Sequence, residues 1–105
     1  MPEAARGDGV DTVASLTGTG PLCALPLTTA TDVCSGDVFV NGTGVVREGD
    51  QVQVHPAAGC GPDTSVLTTF SATVKINGRG AGRKGDQYTG DNTITSGSAT
   101  VFIGG

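Results

Sequence analysis

The chain has 105 residues, including 18 Gly and no Trp, with a formal net charge of −4. This length suits a single domain. The acidic balance argues against a nucleic-acid-binding protein, which needs a basic surface. No apolar run approaches the roughly 20 residues of a membrane span. With only 15% charged residues, we expect the chain to fold around a small core that a metal or cross-link would stabilise.

The first eight residues contain no apolar segment typical of a secretory signal peptide. We therefore expect the chain to be made in the cytoplasm. The segment 4–8 reads Ala-Ala-Arg-Gly-Asp, and a similar arginine followed by Gly-Asp recurs twice further along the chain.

Two sixteen-residue units, at 35–50 and 71–86, align without a gap at a constant offset of 36 residues. Each begins with Ser, contains a short apolar run followed by Asn-Gly, and ends in Arg-x-Gly-Asp. Runs rich in β-branched residues favour strands, and Asn-Gly favours the two-residue turn of a hairpin. Each unit is therefore predicted to be a β-hairpin within an internal repeat.

A third copy is split between the two ends of the chain. Residues 98–105 match the first half of a unit, and residues 4–8 match the second half with one residue missing. If the halves join, the chain is a closed ring with adjacent termini. We therefore predict one all-β domain over residues 1–105, a small cone of three pseudo-threefold β-hairpin repeats with metal-stapled loops.

Alternation along the three apolar runs predicts which side chains face the core. One face carries an apolar pair from each run: Val38 and Val40, Val74 and Ile76, Val101 and Ile103. The opposite face carries Phe39, Lys75 and Phe102, which we predict to be partner-binding residues.

Charged residues also recur with the repeat. The arginines are Arg6, Arg47 and Arg83, and the aspartates are Asp8, Asp50 and Asp86. We expect them to cap turns and pair locally rather than to take part in chemistry.

Three loops of unequal length, at 9–34, 51–70 and 87–97, connect the hairpins. The first two are long for a compact domain, where such loops are usually functional or held in place. They contain every Cys and His of the chain: Cys23, Cys34, His55 and Cys60. Because a closed tetrahedral zinc site needs four such ligands, we predict that these residues bind one metal ion, zinc or alternatively iron.

Other arrangements of these residues stay open. The cysteines could be small buried side chains with His55 on the surface, or Cys23 and Cys34 could form a disulfide with Cys60 free. A dyad of Cys60 and His55 would suit a cysteine-dependent hydrolase, but the sequence shows no third partner for it. We therefore expect that the protein is not an enzyme.

The hairpin units resemble those of PAAR-repeat proteins, a family named for a Pro-Ala-Ala-Arg stretch. The closest matches are residues 2–6 (Pro-Glu-Ala-Ala-Arg), 38–42 (Val-Phe-Val-Asn-Gly) and 101–105 (Val-Phe-Ile-Gly-Gly). The resemblance covers nearly the whole chain, with the two long loops less well matched. In that family a small metal-bound β cone sits on the end of a trimeric β-helical spike, in contractile phage tails, type VI secretion systems and related injection machines.

The resemblance implies a membrane-piercing tip, one copy per homotrimeric spike. Such a protein is a monomer on its own, touches the target-cell membrane transiently, and is delivered outward as part of a virion tail, baseplate or secretion-system tip. The family's zinc site is rich in His with a Cys. His55 matches the His that follows a repeat's Gly-Asp, and Cys60 matches the Cys before the next unit. Three Cys depart from that pattern, so Cys23 and Cys34 are included on count and loop position.

An alternative function is a free-standing small zinc-binding or adhesion domain. It would bind a glycan or a protein through its Thr- and Gly-rich loops. The stoichiometry with a trimeric partner separates this alternative from the spike tip.

Overall fold

A computed structural model describes residues 2–15, 27–53, 55–56, 62–63, 65–89 and 92–104. These residues form short strands and no helix, which confirms the predicted all-β class. Consequently, the described part of the chain contains no helix long and apolar enough to span a membrane. The strands are β1 (Thr12–Ser15), β2 (Leu27–Ala30), β3 (Phe39–Val40), β4 (Thr43–Gly44), β5 (His55–Pro56), β6 (Pro62–Asp63), β7 (Lys75–Ile76), β8 (Arg79–Gly80), β9 (Gln87–Tyr88) and β10 (Asn92–Ile94).

The strands pair antiparallel. Three pairs are separate hairpins, β3–β4, β5–β6 and β7–β8, and a four-stranded sheet has the order β2-β1-β10-β9. In that sheet Val13 of β1 lies between Thr29 of β2 and Ile94 of β10. The sheet therefore joins segments from opposite ends of the sequence.

The Asn-Gly pairs form the turns that the sequence predicts. Asn41 and Gly42 have φ values of 53° and 82°, and Asn77 and Gly78 have φ values of 54° and 78°. Two successive positive φ values match the right-handed twist of the flanking strands. In the first hairpin they pair Phe39 with Gly44, and the second hairpin has the same register.

The two ends of the chain meet. Glu3 forms an antiparallel bridge with Phe102, and the Ala4 N–H donates to the Val101 carbonyl at 2.9 Å. Segment 2–4 thus pairs with segment 101–103 as β4 pairs with β3 and β8 with β7. The terminal residues themselves, expected to be adjacent, lie outside the described residues.

A cycle of contacts joins the three hairpin segments. The isolated bridges link Arg6 to Val45, Arg47 to Ala81, and Arg83 to Ala4. Beside them, three backbone hydrogen bonds run from Val46 N–H to Ala5 at 3.1 Å, from Gly82 N–H to Val46 at 2.7 Å, and from Ala5 N–H to Gly82 at 3.1 Å. Each residue in this second set is both donor and acceptor, so the set closes on itself. We call residues 2–11, 34–50, 70–86 and 97–104 the hairpin ring.

Two apolar clusters form the core. The ring cluster consists of buried Ala4, Val40, Val45, Ala81 and Ile103, with Val38, Val74, Ile76 and Val101 packed against it. It contains all six residues that alternation predicted to face inward. Phe39 and Phe102, on the opposite face, are 57% and 49% exposed. The second cluster consists of Ala5, Val13, Val46, Val52, Leu67, Tyr88 and Ile94, with Phe70 against it.

Three connecting segments, at 11–31, 50–67 and 86–94, leave the ring and return to it in the same way. One 3.0 Å backbone hydrogen bond closes each segment, from Thr31 N–H to Asp11, from Leu67 N–H to Asp50, and from Ile94 N–H to Asp86. Strands β1 and β2, β5 and β6, and β9 and β10 belong to these segments. The ring is therefore the common base from which all three emerge.

Candidate functional site

A buried serine begins each hairpin segment of the ring. Ser35 accepts a hydrogen bond from the Val38 N–H at 2.9 Å, Ser71 from the Val74 N–H at 2.9 Å, and Ser98 from the Val101 N–H at 3.0 Å. Each hydroxyl also donates to the neighbouring hairpin, Ser35 to Asn77 Oδ1, Ser71 to the Gly104 carbonyl, and Ser98 to Asn41 Oδ1. The serines therefore fix every hairpin to the end of the next one.

An arginine–aspartate pair closes each unit. Nε to Oδ2 distances are 2.8 Å for Arg47 and Asp50 and 3.0 Å for Arg83 and Asp86, as predicted. The first unit departs from the repeat, because Arg6 pairs with Asp11 at 2.9 Å and not with Asp8. The intervening turn is two residues longer than in the other units, and Asp8 occupies an exposed position in it with a φ of 51°.

Asp11 is the most deeply buried of these carboxylates. It is fully buried and accepts hydrogen bonds from the backbone and side chain of Arg6 and from the Ser96 hydroxyl. Burial opposes its ionisation, but these hydrogen bonds outweigh burial and hold the pKa of Asp11 below its ordinary value. Asp11 therefore fixes the start of the first connecting segment to the ring.

One edge of each hairpin carries main-chain groups that point away from the partner strand. In the first hairpin the Val45 N–H donates to the Val38 carbonyl at 3.1 Å, and Val40 pairs with Thr43 beside the turn. Phe39 lies between these two hydrogen-bonded pairs. In an antiparallel ladder the N–H and C=O of such a residue point outward.

The same geometry holds for Lys75 and Phe102, which lie between equivalent pairs. Their outward N–H and C=O groups have no hydrogen-bond partner among the described residues. We call the N–H and C=O groups of residues 39, 75 and 102 the open edge. The opposite edge is closed, because the carbonyls of Gly44, Gly80 and Glu3 accept from Gly7, Glu48 and Lys84 at 2.8–2.9 Å.

Apolar side chains flank the open edge. Val38, Val74 and Val101, which we call the valine triad, are half-buried against the ring cluster and immediately precede the open-edge residues. Three equal apolar groups beside three equal sets of main-chain donors and acceptors can receive three identical strand ends. This arrangement suits docking rather than chemistry.

Cys34 lies in the ring as a packing residue. Its thiol is free and half-buried, and burial raises the pKa of the thiol. A Cβ at Gly44 would come within 2.8 Å of Cys34 Sγ. In the second unit the equivalent contact joins Phe70 to Gly80, and in the third it joins Gly97 to Glu3.

His55 lies further along the connecting segment. Thr31, three residues before Cys34, bridges Val52, three residues before His55, in antiparallel orientation. A tetrahedral zinc ion holds its ligand atoms within about 2.0–2.3 Å. Whether Cys34 and His55 share a metal ion depends on the His55 side chain, which lies outside the described residues.

The other predicted ligands, Cys23 and Cys60, lie outside the described residues, as does the side chain of His55. Within the described part of the chain, no group of three or more His, Cys, Asp or Glu residues could hold a metal ion. The metal site stays a prediction. The free thiol of Cys34 gives no support to a disulfide with Cys23.

Two features of the ring escaped the sequence analysis although signals for them were present. The 36-residue offset aligns Cys34 with Phe70, which marks position 34 as a packing position. Asp11 lies just after the turn, and a repeat alignment that allowed an insertion would have found it.

Comparisons with protein-family models and with curated proteins find no match to this chain.

Proposed function

We propose that this protein is the tip of a contractile injection machine, such as a phage tail or a type VI-like system. One copy caps the end of one homotrimeric β-helical spike and is the first part of the spike to meet the target membrane. The observation that carries the proposal is the cyclic contact pattern of the hairpin ring, in which each hairpin contacts the next in the same way.

The cyclic contacts support a cone of three pseudo-threefold repeats, at 35–50, 71–86, and 98–105 joined with 4–8. Three kinds of contact occur once per unit, and each kind forms a closed set. They are the isolated bridges, the backbone hydrogen bonds among Ala5, Val46 and Gly82, and the hydrogen bond from each serine to the neighbouring hairpin. The principal extents of 40 × 23 × 22 Å have two nearly equal short axes, as a body with threefold-like symmetry requires. Such a monomer can meet a homotrimer without a symmetry mismatch.

The open edge supports a docked partner. Unpaired strand edges bind other strands, and soluble proteins normally cover or charge them. The end of a β-helical trimer carries unpaired edges of its own. Docking of the two ends would satisfy both and would cover the valine triad.

The proposed function also includes a metal ion, which would link the connecting segments. Cys23, Cys34, His55 and Cys60 would hold zinc or iron. When bound, the metal would supply a cross-link between the first two connecting segments, because the free energy of metal binding adds to that of folding. The connecting segments would then form the distal point and the ring the docking base.

Native mass spectrometry with the spike trimer encoded in the same genome tests the proposal. The expected complex contains one copy of this chain and three spike chains. Val74→Asp, which places a charge in the valine triad, should weaken binding more than about tenfold. Thr28→Asp, at an exposed position in β2, is the matched control and should bind like the wild type.

A complex of three copies with three spike chains would contradict the proposal. So would the absence of any complex with the folded wild-type chain. Either result would favour the free-standing binding domain.

A further inference from the structure

We infer that the ring holds its partner through the main chain of the open edge, by strand addition, and that the side chains at positions 39, 75 and 102 do not select the partner. This inference rests on the proposed function, because it describes how the same surface would hold a trimer. The partner that fits is the set of three extended strand ends of a homotrimer.

The side chains at these positions differ among the three units. Phe39 and Phe102 are apolar, whereas Lys75 carries a positive charge, and all three are exposed. A homotrimer offers three identical surfaces. One surface cannot be complementary to both a phenyl ring and an ammonium group, so these side chains cannot provide the shared part of the interface.

The main chain is the same in all three units. Each open-edge residue offers one outward N–H and one outward C=O, so the ring can form two hydrogen bonds with each of three added strands. Strand addition of this kind takes its affinity from main-chain hydrogen bonds, and its side-chain contacts come from alternate positions. Here the adjacent contacts are provided by the valine triad, whose members are chemically identical.

The residues at the three strand edges also support the inference. Lysine on a strand edge opposes accidental pairing, but only one of the three open-edge residues, Lys75, is charged. The other two edges present Phe39 and Phe102, which leave them suited to pairing. We therefore expect a bound partner to cover these edges when the protein functions.

Proline substitution tests the inference because proline removes the N–H group. The N–H groups of residues 39, 75 and 102 have no partner within the described part of the chain, and proline is tolerated on edge strands. Phe39→Pro, Lys75→Pro and Phe102→Pro should therefore stay folded, as thermal melting checks. Each should bind the spike trimer about tenfold more weakly than the alanine variant at the same position.

Side-chain exchange provides a second test that keeps the main chain intact. Phe39→Lys and Lys75→Phe should bind the trimer within about threefold of the wild type, because surface side-chain changes have small effects. If Phe39→Lys abolishes binding and Lys75→Phe strengthens it, the side chains select the partner and the inference is wrong. Proline variants that stay folded and bind like their alanine counterparts also overturn it. In both cases a one-to-three wild-type complex leaves the proposed function standing, and its absence removes both.

Discussion

The hairpin ring and the connecting segments obey different constraints. In the ring, the contacts of one unit recur in the other two. The connecting segments share the hydrogen bond that closes each of them, but they span residues 11–31, 50–67 and 86–94 and differ in length. The contacts of the three units are therefore equivalent in the ring, where each unit packs against the next. Beyond that base, the segments are free to vary.

The two core clusters show the same contrast. Equivalent positions in the ring cluster carry only Ala, Val or Ile. In the second cluster, the position of Val13 and Val52 is taken by Tyr88 in the third segment, and that of Ala5 and Val46 by Gly82. A Cβ on Gly82 would lie 3.0 Å from Leu67 and 3.1 Å from the Val46 carbonyl. Larger neighbours therefore fill the space that glycine leaves, and the second cluster keeps its volume but not its symmetry.

Substitution of Gly44 in the ring should have the largest effect. A Cβ at this position would collide with the Ser35 carbonyl and with Cys34, and backbone cannot move aside without breaking the ring. We expect Gly44→Ala to lower the free energy of unfolding by about 3 kcal/mol or more. Chemical denaturation measures it.

Gly36→Ala is the matched control for that variant, because a Cβ there would meet nothing within 4 Å. Its stability should lie within about 0.5 kcal/mol of the wild type. Equal stabilities for the two variants would show that the close approach at Gly44 does not constrain the ring.

Metal removal should destabilise the connecting segments. We expect one zinc or iron ion per chain, and chelation should lower the free energy of unfolding by about 3 kcal/mol, the effect of a ligand present well above its dissociation constant. Elemental analysis should find the metal lost in His55→Ala, Cys60→Ser and Cys34→Ala. Native protein without stoichiometric metal would contradict the metal site, and metal kept in Cys34→Ala would remove Cys34 from the set of ligands.

Substitutions of Asp11 and Asp8 compare the contributions of the two aspartates that follow Arg6. Asp11→Asn should cost about 2 kcal/mol of unfolding free energy, because it weakens a buried ion pair whose arginine is partly exposed. Asp8→Asn should be neutral, since Asp8 is exposed and Asn tolerates its positive φ. The opposite ranking would restore Asp8 as the partner of Arg6.

Acid should have the smallest effect among these changes. The pKa of Asp11 is lower in the folded chain than its ordinary value of 3.8, so the unfolded chain binds this proton more readily. The Asp11 contribution is therefore complete above about pH 5 and is lost as the pH falls through the folded pKa. Denaturation curves should show a flatter acid dependence for Asp11→Asn than for the wild type. Identical slopes would indicate that Asp11 titrates alike in both states.

The sequence by itself determined the local elements of the ring. Asn-Gly pairs fixed the turns because they tolerate positive φ, and alternation of β-branched residues set the inward face. These are properties of neighbouring residues, so they can be read without the fold. For the metal site, the sequence supplied only the candidate ligands, and the site itself stays a prediction.

Only the tertiary structure decided the contacts between distant segments. It pairs β1 with β10, it gives Arg6 the partner Asp11 instead of Asp8, and it packs Cys34 against Gly44 in the ring. Each outcome depends on how an insertion or a strand register positions residues far apart in the chain. Local preference cannot decide these contacts, because the energy that selects them comes from packing and hydrogen bonds that exist only once the ring has closed.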